Sequence, residues 1–263
     1  MPIKTPSIVK LLLPLTAVAS LGATSCKSDD DKKTETKPEA AAVATATTPT
    51  AETKPEVKEW NSRRLKELTE PSEEKFGTLA EGVGIAVGQP APNASVTDDE
   101  GKSLELQSLW EEGSVLLVFY RGGWCPYCNS QMRDLTTFAP EFAKRGITPV
   151  AISVDSIDET VKTQKTYDIP FPILSDPDLA AHNAWNVTIK VGDEEFEKLK
   201  SHGIDVEKAS GKEHRTIGIP SMFLIDKTGT VLWAHGDPSY KIRPRAEHIL
   251  RVLDAGPRLT TKQ

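Results

Sequence analysis

The sequence has few cysteines, few aromatic residues and no long hydrophobic run. Three cysteines in 263 residues are too few for a scaffold stabilised by many disulfides, and 17 glycines are too few for a collagen-like chain. The longest mostly apolar stretch, Leu11 to Ala23, is shorter than the roughly 20 residues that a membrane-spanning helix needs. These absences also exclude a multi-span membrane protein.

An excess of positive charge is missing as well. The chain has 38 acidic and 32 basic residues, and its formal net charge is −6. Proteins that bind nucleic acid usually carry a basic surface, so no nucleic-acid partner is expected. An acidic chain is not drawn to anionic lipid either. Any attachment to a membrane would therefore have to be covalent.

Residues 1–25 are typical of an export signal, because lysines precede a short apolar run. The run ends at Ala23-Thr24-Ser25-Cys26, which resembles the bacterial lipobox, where the cysteine is lipidated and becomes the first residue. We predict that Cys26 anchors the chain to a membrane, facing the periplasm, with the outer membrane favoured over the inner. Ordinary cleavage before this cysteine is the alternative.

Composition divides the rest of the chain into segments. Residues 26–58 contain no aromatic residue and cannot bury enough apolar surface to offset the entropy of ordering. They are predicted to form a solvated tether. Residues 59–87 show weak helical patterning and form a lead-in. The compact domain is predicted over residues 88–257, and residues 258–263 are a tail.

Within the compact domain, near-continuous apolar runs predict buried strands, and apolar stripes at helical spacing predict helices. Strands are predicted at Ser114–Tyr120, Pro149–Val154, Pro170–Leu174, Met222–Ile225 and Val231–Ala234. Helices are predicted after Cys125, Ser156 and Asp176 and before Gly256.

This order predicts an α/β fold with a central mixed sheet, helices on both faces and an N-terminal β extension. A charged insertion, residues 186–218, precedes the last hairpin. It is predicted to be a solvated excursion, and the wall of a substrate entrance is the alternative.

Two cysteines lie close together in Cys125-Pro126-Tyr127-Cys128, between the first buried strand and a helix. This position makes Cys125 the N-cap of the helix and Pro126 its first residue. Unpaired N–H groups and the positive end of the helix dipole favour a thiolate there, and such thiols have pKa values of roughly 3.5–7.5 instead of ~8.5. The spacing also supplies a second thiol that can close a disulfide, which predicts redox chemistry.

Two other interpretations of the pair compete with redox chemistry. A zinc site needs more ligands, but the sequence has no second cysteine pair and no pair of histidines at zinc-ligand spacing. A structural disulfide is usual in exported proteins, yet a bridge that closes so short a loop removes little chain entropy. A dithiol that works without a metal or other cofactor is the favoured hypothesis.

Several segments resemble the peroxiredoxin-like branch of the AhpC/TSA family. They occur in order over residues 88–255: Pro90-Ala91-Pro92, Phe119-Tyr120-Arg121-Gly122-Gly123-Trp124-Cys125-Pro126-Tyr127-Cys128, Pro172-Ile173-Leu174-Ser175-Asp176, Ile219-Pro220-Ser221-Met222-Phe223-Leu224-Ile225-Asp226 and Asp237-Pro238-Ser239-Tyr240.

The resemblance implies a thioredoxin-like fold and a thiol-dependent peroxidase that reduces hydroperoxides through a dithiol/disulfide cycle of Cys125 and Cys128. A thioredoxin-like or other thiol would donate the electrons. The resemblance also implies a cis peptide bond at Ile219-Pro220, in a loop that faces the cysteines. Trp124 occupies the position of the tryptophan that precedes the first cysteine in thioredoxins, where it supports the site.

The family pattern leaves the order of attack open. Counted from Phe119-Tyr120, Cys128 is the peroxidatic cysteine, whereas counted from Trp124 the nucleophile is Cys125. The Pro and Thr of the peroxidase motif Pro-x-x-x-Thr-x-x-Cys are absent, and no arginine begins the strand at residues 221–226. We predict that Cys125 attacks, because we expect it to be the more exposed thiolate and therefore to set the rate.

Three functions stay open. A thiol peroxidase would form a sulfenic acid that the second cysteine resolves, and a thiol–disulfide oxidoreductase would act on exported protein disulfides. A lipoprotein without enzymatic activity would use the fold for binding. Arg121 could supply a cation near the thiolate or be a solvated loop charge. The family resemblance favours the peroxidase.

Overall fold

The computed structural model describes residues 66–256. The predicted export signal, Cys26, the tether and the tail lie outside the described residues. Within the described range, no helix combines the length and the apolar character that crossing a bilayer requires.

Strands and helices alternate along the described residues. The strands are β1 (Ser95–Thr97), β2 (Ser103–Glu105), β3 (Ser114–Phe119), β4 (Ile147–Ser153), β5 (Ile173–Ser175), β6 (Thr188–Lys190), β7 (Thr216–Gly218), β8 (Ser221–Ile225) and β9 (Val231–Gly236). The helices are α1 (Leu106–Glu112), α2 (Pro126–Lys144), α3 (Ile157–Thr166), α4 (Ala180–Ala184), α5 (Asp193–Ser201), α6 (Val206–Ser210) and α7 (Ala246–Asp254).

A seven-stranded mixed sheet forms the centre of the domain, in the order β2-β1-β5-β4-β3-β8-β9. The neighbours β3–β4 and β4–β5 are parallel, and the other pairs are antiparallel. β6 and β7 form a separate antiparallel pair. The predicted mixed sheet and its N-terminal β extension, β1 and β2, are confirmed.

Both faces of the sheet are covered, because side chains of β3 alternate between two apolar clusters. Leu116 and Val118 pack in the cluster that contains the apolar sides of α2 and α7. Leu117 and Phe119 pack in the cluster that contains residues of α1 and α4. The prediction of helices on both faces is therefore confirmed.

α4 begins later than predicted. The sequence predicts a helix directly after Asp176, as if this residue capped it, but the Asp176 carboxylate instead accepts the backbone N–H of His182 and lies 2.7 Å from His182 Nδ1. The helix starts at Ala180, after Leu179 in the left-handed conformation (φ 62°). The buried acid–imidazole contact outweighs the local capping preference at this point.

The lead-in forms no helix over its described part, residues 66–87. Thr69 bridges to Ile242, and Leu79 bridges to Gly236 at the end of β9. Leu68 and Val83 are buried. Since these residues bond and pack against the sheet and the segment after it, the compact domain extends ahead of the predicted boundary at residue 88.

The charged insertion is also packed, so the prediction of a solvated excursion is wrong. α5 and α6 contribute Phe196, Leu199 and Val206 to an apolar cluster with Val154 at the end of β4. Trp124 packs against this cluster from the loop before α2. The charged residues that dominate its composition cover the outside of a small apolar core.

Candidate active site

The two cysteines lie between β3 and α2. Cys125 is the N-cap of α2 with extended backbone (φ −89°), and Pro126 is the first helical residue, as predicted. The Asn129 N–H donates to the Cys125 carbonyl at 3.0 Å, which places Cys128 in the first turn. Both thiols are free, and their residues are 1% and 0% exposed. The expected exposure of Cys125 is therefore wrong, and its reactivity must come from its surroundings.

The two thiols differ in acidity. The pKa of Cys125 is lowered to about 6, first by a hydrogen bond from the Cys128 thiol and then, against the effect of burial, by the charges of Arg121 and Arg243. Burial raises the pKa of Cys128 well above its usual value, and the interaction with Cys125 adds to this rise. At neutral pH Cys125 therefore carries the thiolate and Cys128 keeps its proton.

A buried carboxyl group, which sequence analysis did not identify, holds the loop between β3 and α2. Asp155 lies just beyond the end of β4, where it accepts the Gly123 N–H at 2.7 Å and the Trp124 Nε1–H at 3.2 Å. Burial raises the pKa of Asp155 to about 7. The signal in the sequence was a lone acid directly after an apolar strand, at the edge where parallel strands end.

The two glycines of this loop are required by its close packing. Gly122 has φ +144°, and a Cβ on it would overlap the Trp124 indole and approach the Asp155 carboxylate. A Cβ on Gly123 would overlap the Thr163 hydroxyl of α3. Because no side chain fits at either position, the Gly-Gly pair lets Trp124 reach Asp155.

Arg121 lies among aromatic rings and not in solvent. The residue is 8% exposed, and its guanidinium carbon lies 5.1 Å from the Trp124 ring centroid and 4.6 Å from that of Tyr240. The Tyr127 ring meets Tyr240 edge-on at 5.3 Å. Cation–π contacts of this kind hold the positive charge in place. The alternative of a solvated loop charge is therefore wrong, and Arg121 acts electrostatically on Cys125.

Ile219-Pro220 lies directly before β8, whose first residue Ser221 pairs with Phe119 at the end of β3. The described residues contain no cis peptide bond, so the expected cis bond at Ile219-Pro220 is wrong. The Ile219 N–H donates to the Val187 carbonyl at 2.7 Å. The trans bond, which X–Pro sequences prefer, is compatible with this hydrogen bond.

Arg243 completes the surroundings of the cysteine pair and was not identified from the sequence. It is 1% exposed, and its Nη2 donates to Cys128 Sγ at 3.5 Å. It lies in the segment between β9 and α7, 115 residues from Cys128 in sequence. The only signal was the family-like segment that ends at Tyr240, shortly before it. No arginine begins the strand at residues 221–226, and the structure brings Arg243 to the cysteine pair from the connection after β9 instead.

A cleft of about 420 Å³ opens beside this loop. Trp124 and Pro126 line one side, Lys162 of α3 and the α3 C-cap Tyr167 line another, and residues 202–205 with α6 line the third. The insertion therefore forms a wall next to the redox loop, which was the alternative to a solvated excursion.

A low-pKa thiolate at a helix N-cap, with a second thiol in the first turn of the helix, defines a thiol-dependent oxidoreductase. Comparison with known proteins agrees with this class. The model of the AhpC/TSA family matches residues 87–234, and the chain belongs to that family.

Relatives of two kinds are similar in sequence. The thiol-disulfide oxidoreductase ResA of Bacillus thuringiensis subsp. konkukian is 33% identical over 149 residues, which are 56% of this chain and 68% of ResA. A Coxiella burnetii protein named as a peroxiredoxin, bcp, is 28% identical over 150 residues, covering 57% of this chain and 87% of that protein.

Solved structures of peroxiredoxins share the fold. Reduced Prx3 of Vibrio vulnificus in complex with hydrogen peroxide matches with a TM-score of 0.54 and 17% identity, over 64% of this chain and 99% of that one. BcpB of Mycobacterium tuberculosis matches with a TM-score of 0.51 and 20% identity, over 66% and 99% of the two chains. At these identities the likeness establishes the fold alone.

Proposed function

We propose that the protein reduces hydroperoxides through a dithiol/disulfide cycle of Cys125 and Cys128. The Cys125 thiolate attacks one peroxide oxygen, the O–O bond breaks, and the departing oxygen takes up a proton to leave as water or an alcohol. Cys125 is then a sulfenic acid. Cys128 loses its proton and attacks the Cys125 sulfur, and the hydroxyl group leaves as water while the disulfide forms. A thioredoxin-like or other thiol donor supplies the two electrons that restore the pair.

The observation that carries this proposal is the burial of a thiolate. Cys125 is 1% exposed, yet its pKa of about 6 makes it a thiolate at neutral pH. A hydroperoxide is much smaller than a folded protein and needs a smaller opening to reach such an atom. A disulfide in a folded protein would need the loop before α2 to open first.

The test is a single-turnover assay of the full chain with hydrogen peroxide, an organic hydroperoxide and a disulfide-containing protein. We expect peroxide to consume two thiols faster than the protein disulfide does, with no intermolecular adduct. Cys125→Ser should abolish turnover, whereas Cys26→Ser, which removes the remaining cysteine, should retain it. Thiols that persist after peroxide treatment would show that the proposal is wrong.

Thiol–disulfide exchange is the second candidate function, and the similarity to ResA favours it. In this reaction the Cys125 thiolate attacks a substrate disulfide, and Cys128 then displaces the substrate thiol from the mixed disulfide. Cys128→Ser should trap that mixed disulfide. If the trapped species forms with the protein substrate faster than peroxide oxidises the wild type, exchange is the main activity.

We propose in addition that Cys26 carries lipid and holds the domain on the periplasmic side of a membrane, with the outer membrane favoured over the inner. The apolar run, the small residues before Cys26 and the polar segment after it support this. Mass spectrometry of the native N-terminus should detect a lipid-modified peptide beginning at Cys26, and membrane fractionation should locate it. An unmodified peptide beginning at Cys26 would rule out the anchor.

A further inference from the structure

Arg243 is a buried charge that helps to lower the Cys125 pKa, but it has no role in the second step of the proposed cycle. A guanidinium stays charged at any ordinary pH, and burying it is costly unless other groups compensate its charge. The Arg243 side chain donates to Cys128 Sγ, while its Nε and Nη1 have no hydrogen-bond partner among the described residues. A protein that needed only packing here would place an apolar side chain at this position.

The backbone around Arg243 is fixed from two sides. The Arg243 N–H donates to the Thr69 carbonyl at 2.8 Å, and the Thr69 N–H donates to the Lys241 carbonyl at 3.1 Å. The Ala246 N–H, at the start of α7, donates to the Asp134 carboxylate at 2.6 Å. The guanidinium is therefore held against the cysteine pair by contacts with residues 66–69 and with α2.

The two arginines of the site act on different thiols. The larger arginine effect on Cys125 comes from Arg121, whereas on Cys128 it comes from Arg243. The contact of Arg243 Nη2 with Cys128 Sγ, at 3.5 Å, agrees with this division. Asp237 also lies within electrostatic range of Arg243. Its negative charge favours the charged guanidinium, whereas the positive charge of Arg121 disfavours it.

We propose that Arg243 is a catalytic residue of the resolving step, in which its guanidinium stabilises the thiolate that Cys128 becomes when it attacks the Cys125 sulfur. The buried Cys128 thiol holds its proton strongly while Cys125 is a thiolate. Once Cys125 has become a neutral sulfenic acid or mixed disulfide, the negative charge is gone, and Arg243 is the cation in contact with the sulfur that must ionise next. With peroxide as the substrate, this role of Arg243 rests on the proposed peroxidase function.

The chemistry balances for either substrate. With peroxide, Cys128 gives up its proton, its sulfur bonds to Cys125 Sγ, the S–O bond breaks, and the hydroxide leaves with that proton as water. With a mixed disulfide, the same attack breaks the bond to the substrate sulfur, which leaves as a thiolate. In both cases the sulfur of Cys128 is oxidised and Arg243 remains unchanged.

The experiment separates the two attacks in the reduced full chain carrying Cys26→Ser, which leaves Cys125 and Cys128 as its two thiols, by single-turnover mixing with dithiobis(nitrobenzoate). The first coloured thiolate released reports the attack of Cys125, and the second reports the attack of Cys128 on the mixed disulfide. Hydrogen peroxide is used in parallel, with a sulfenic-acid trap that reports how long the oxidised Cys125 persists.

We expect Arg243→Met to slow the second release roughly 10-fold or more, because a hydrogen bond to a charged group is lost. In this variant the first release should slow much less, because Arg243 lowers the Cys125 pKa less than the Cys128 hydrogen bond and Arg121 do. Its sulfenic acid should persist longer. Arg243→Lys should give an intermediate rate, since the charge is kept without the guanidinium geometry. Arg121→Met should slow the first release instead, and Arg251→Gln, on the exposed side of α7, should change neither.

Equal slowing of both releases, slowing of the first alone, or no change would overturn the proposal. If circular dichroism shows that Arg243→Met does not fold, the same criteria apply to Arg243→Lys. A wild-type protein that reacts with the aromatic disulfide but not with peroxide would refute the proposed peroxidase. The role of Arg243 would still be decided by the second release.

Discussion

At the scale of single residues, the cysteine pair obtains its reactivity from neighbouring groups and not from contact with water. Cys125 is a thiolate because Cys128 donates a hydrogen bond to it and two arginines lie nearby, although burial opposes the charge. Sequence spacing predicted that Cys125 is the helix N-cap, with Cys128 in the first turn. It could not predict Arg243, because a contact across 115 residues leaves no local pattern.

Replacing Cys128 should therefore change the acidity of Cys125. Cys128→Ala removes the hydrogen-bond donor, so the Cys125 pKa should rise from about 6 toward the ordinary ~8.5. Cys128→Ser keeps a donor and should shift the pKa less. The measurement is the alkylation rate of each variant between about pH 5 and 9, where the rate rises with the thiolate fraction.

The same series tests which cysteine attacks. With peroxide, Cys128→Ser should react once and leave a trapped sulfenic acid, whereas Cys125→Ser should react far more slowly. If Cys125→Ser keeps the fast phase and Cys128→Ser loses it, Cys128 is the peroxidatic cysteine and our assignment of the two roles is wrong.

Asp155 should make stability depend on pH. Its pKa rises from 3.8 in the unfolded chain to about 7 in the folded one, so the folded state binds the proton more tightly. The resulting stabilisation is complete below pH 3.8 and is lost as pH rises through about 7. At about 1.4 kcal/mol per pKa unit, the change is at most about 4 kcal/mol.

Urea unfolding at several pH values, compared between wild type and Asp155→Asn, measures this effect. The free energy of unfolding of the variant should not decrease between acid and neutral pH as that of wild type does. Titration of the cysteines affects both proteins and therefore cancels in the comparison. At acid pH the stability of the variant should be close to that of wild type, because an amide, like a protonated carboxyl group, offers one carbonyl oxygen to the Gly123 and Trp124 donors. Parallel pH curves for the two proteins would contradict the shifted Asp155 pKa.

At the scale of elements, local patterns located the strands and helices that carry long apolar runs or stripes. β3, α2 and the hairpin of β8 and β9 lie within a few residues of their predicted positions. Elements whose form depends on distant partners were missed. α4 starts late because Asp176 binds His182, and α5 and α6 pack on Val154 and Trp124 despite a composition that suggested solvent.

The packing of the insertion can be tested at Phe196, which is 2% exposed. Phe196→Ala should lower the free energy of unfolding by about 3–5 kcal/mol, since large-to-small changes in a packed core lose transfer energy and leave a cavity. Lys198→Ala, exposed on the same helix, should change it by no more than about 0.5 kcal/mol. Denaturant unfolding measures both, and equal values would mean that the insertion does not contribute to the core.

At the scale of the whole molecule, the segment ahead of the family domain is part of the structure that holds the site. The family match begins at residue 87, and sequence analysis placed the boundary at residue 88. Residues 66–87 nevertheless bond to the segment that carries Arg243 and bury Leu68 and Val83. A boundary drawn from apolar periodicity misses such a segment, because it has neither helix nor long strand and is bound through its backbone.

A chain that begins at residue 88 should therefore be less stable and resolve more slowly than a chain that begins at residue 60. The shorter chain loses the burial of Leu68 and Val83, each worth about 1.5–3 kcal/mol, so its unfolding free energy should be lower by about 3–6 kcal/mol in total. It also loses the Thr69 hydrogen bonds to the backbone of Lys241 and Arg243, so the second release from the aromatic disulfide should slow more than the first. The longer chain should match the full protein in both measurements. A shorter chain with unchanged stability and unchanged release rates would show that residues 66–87 lie on the domain without supporting it.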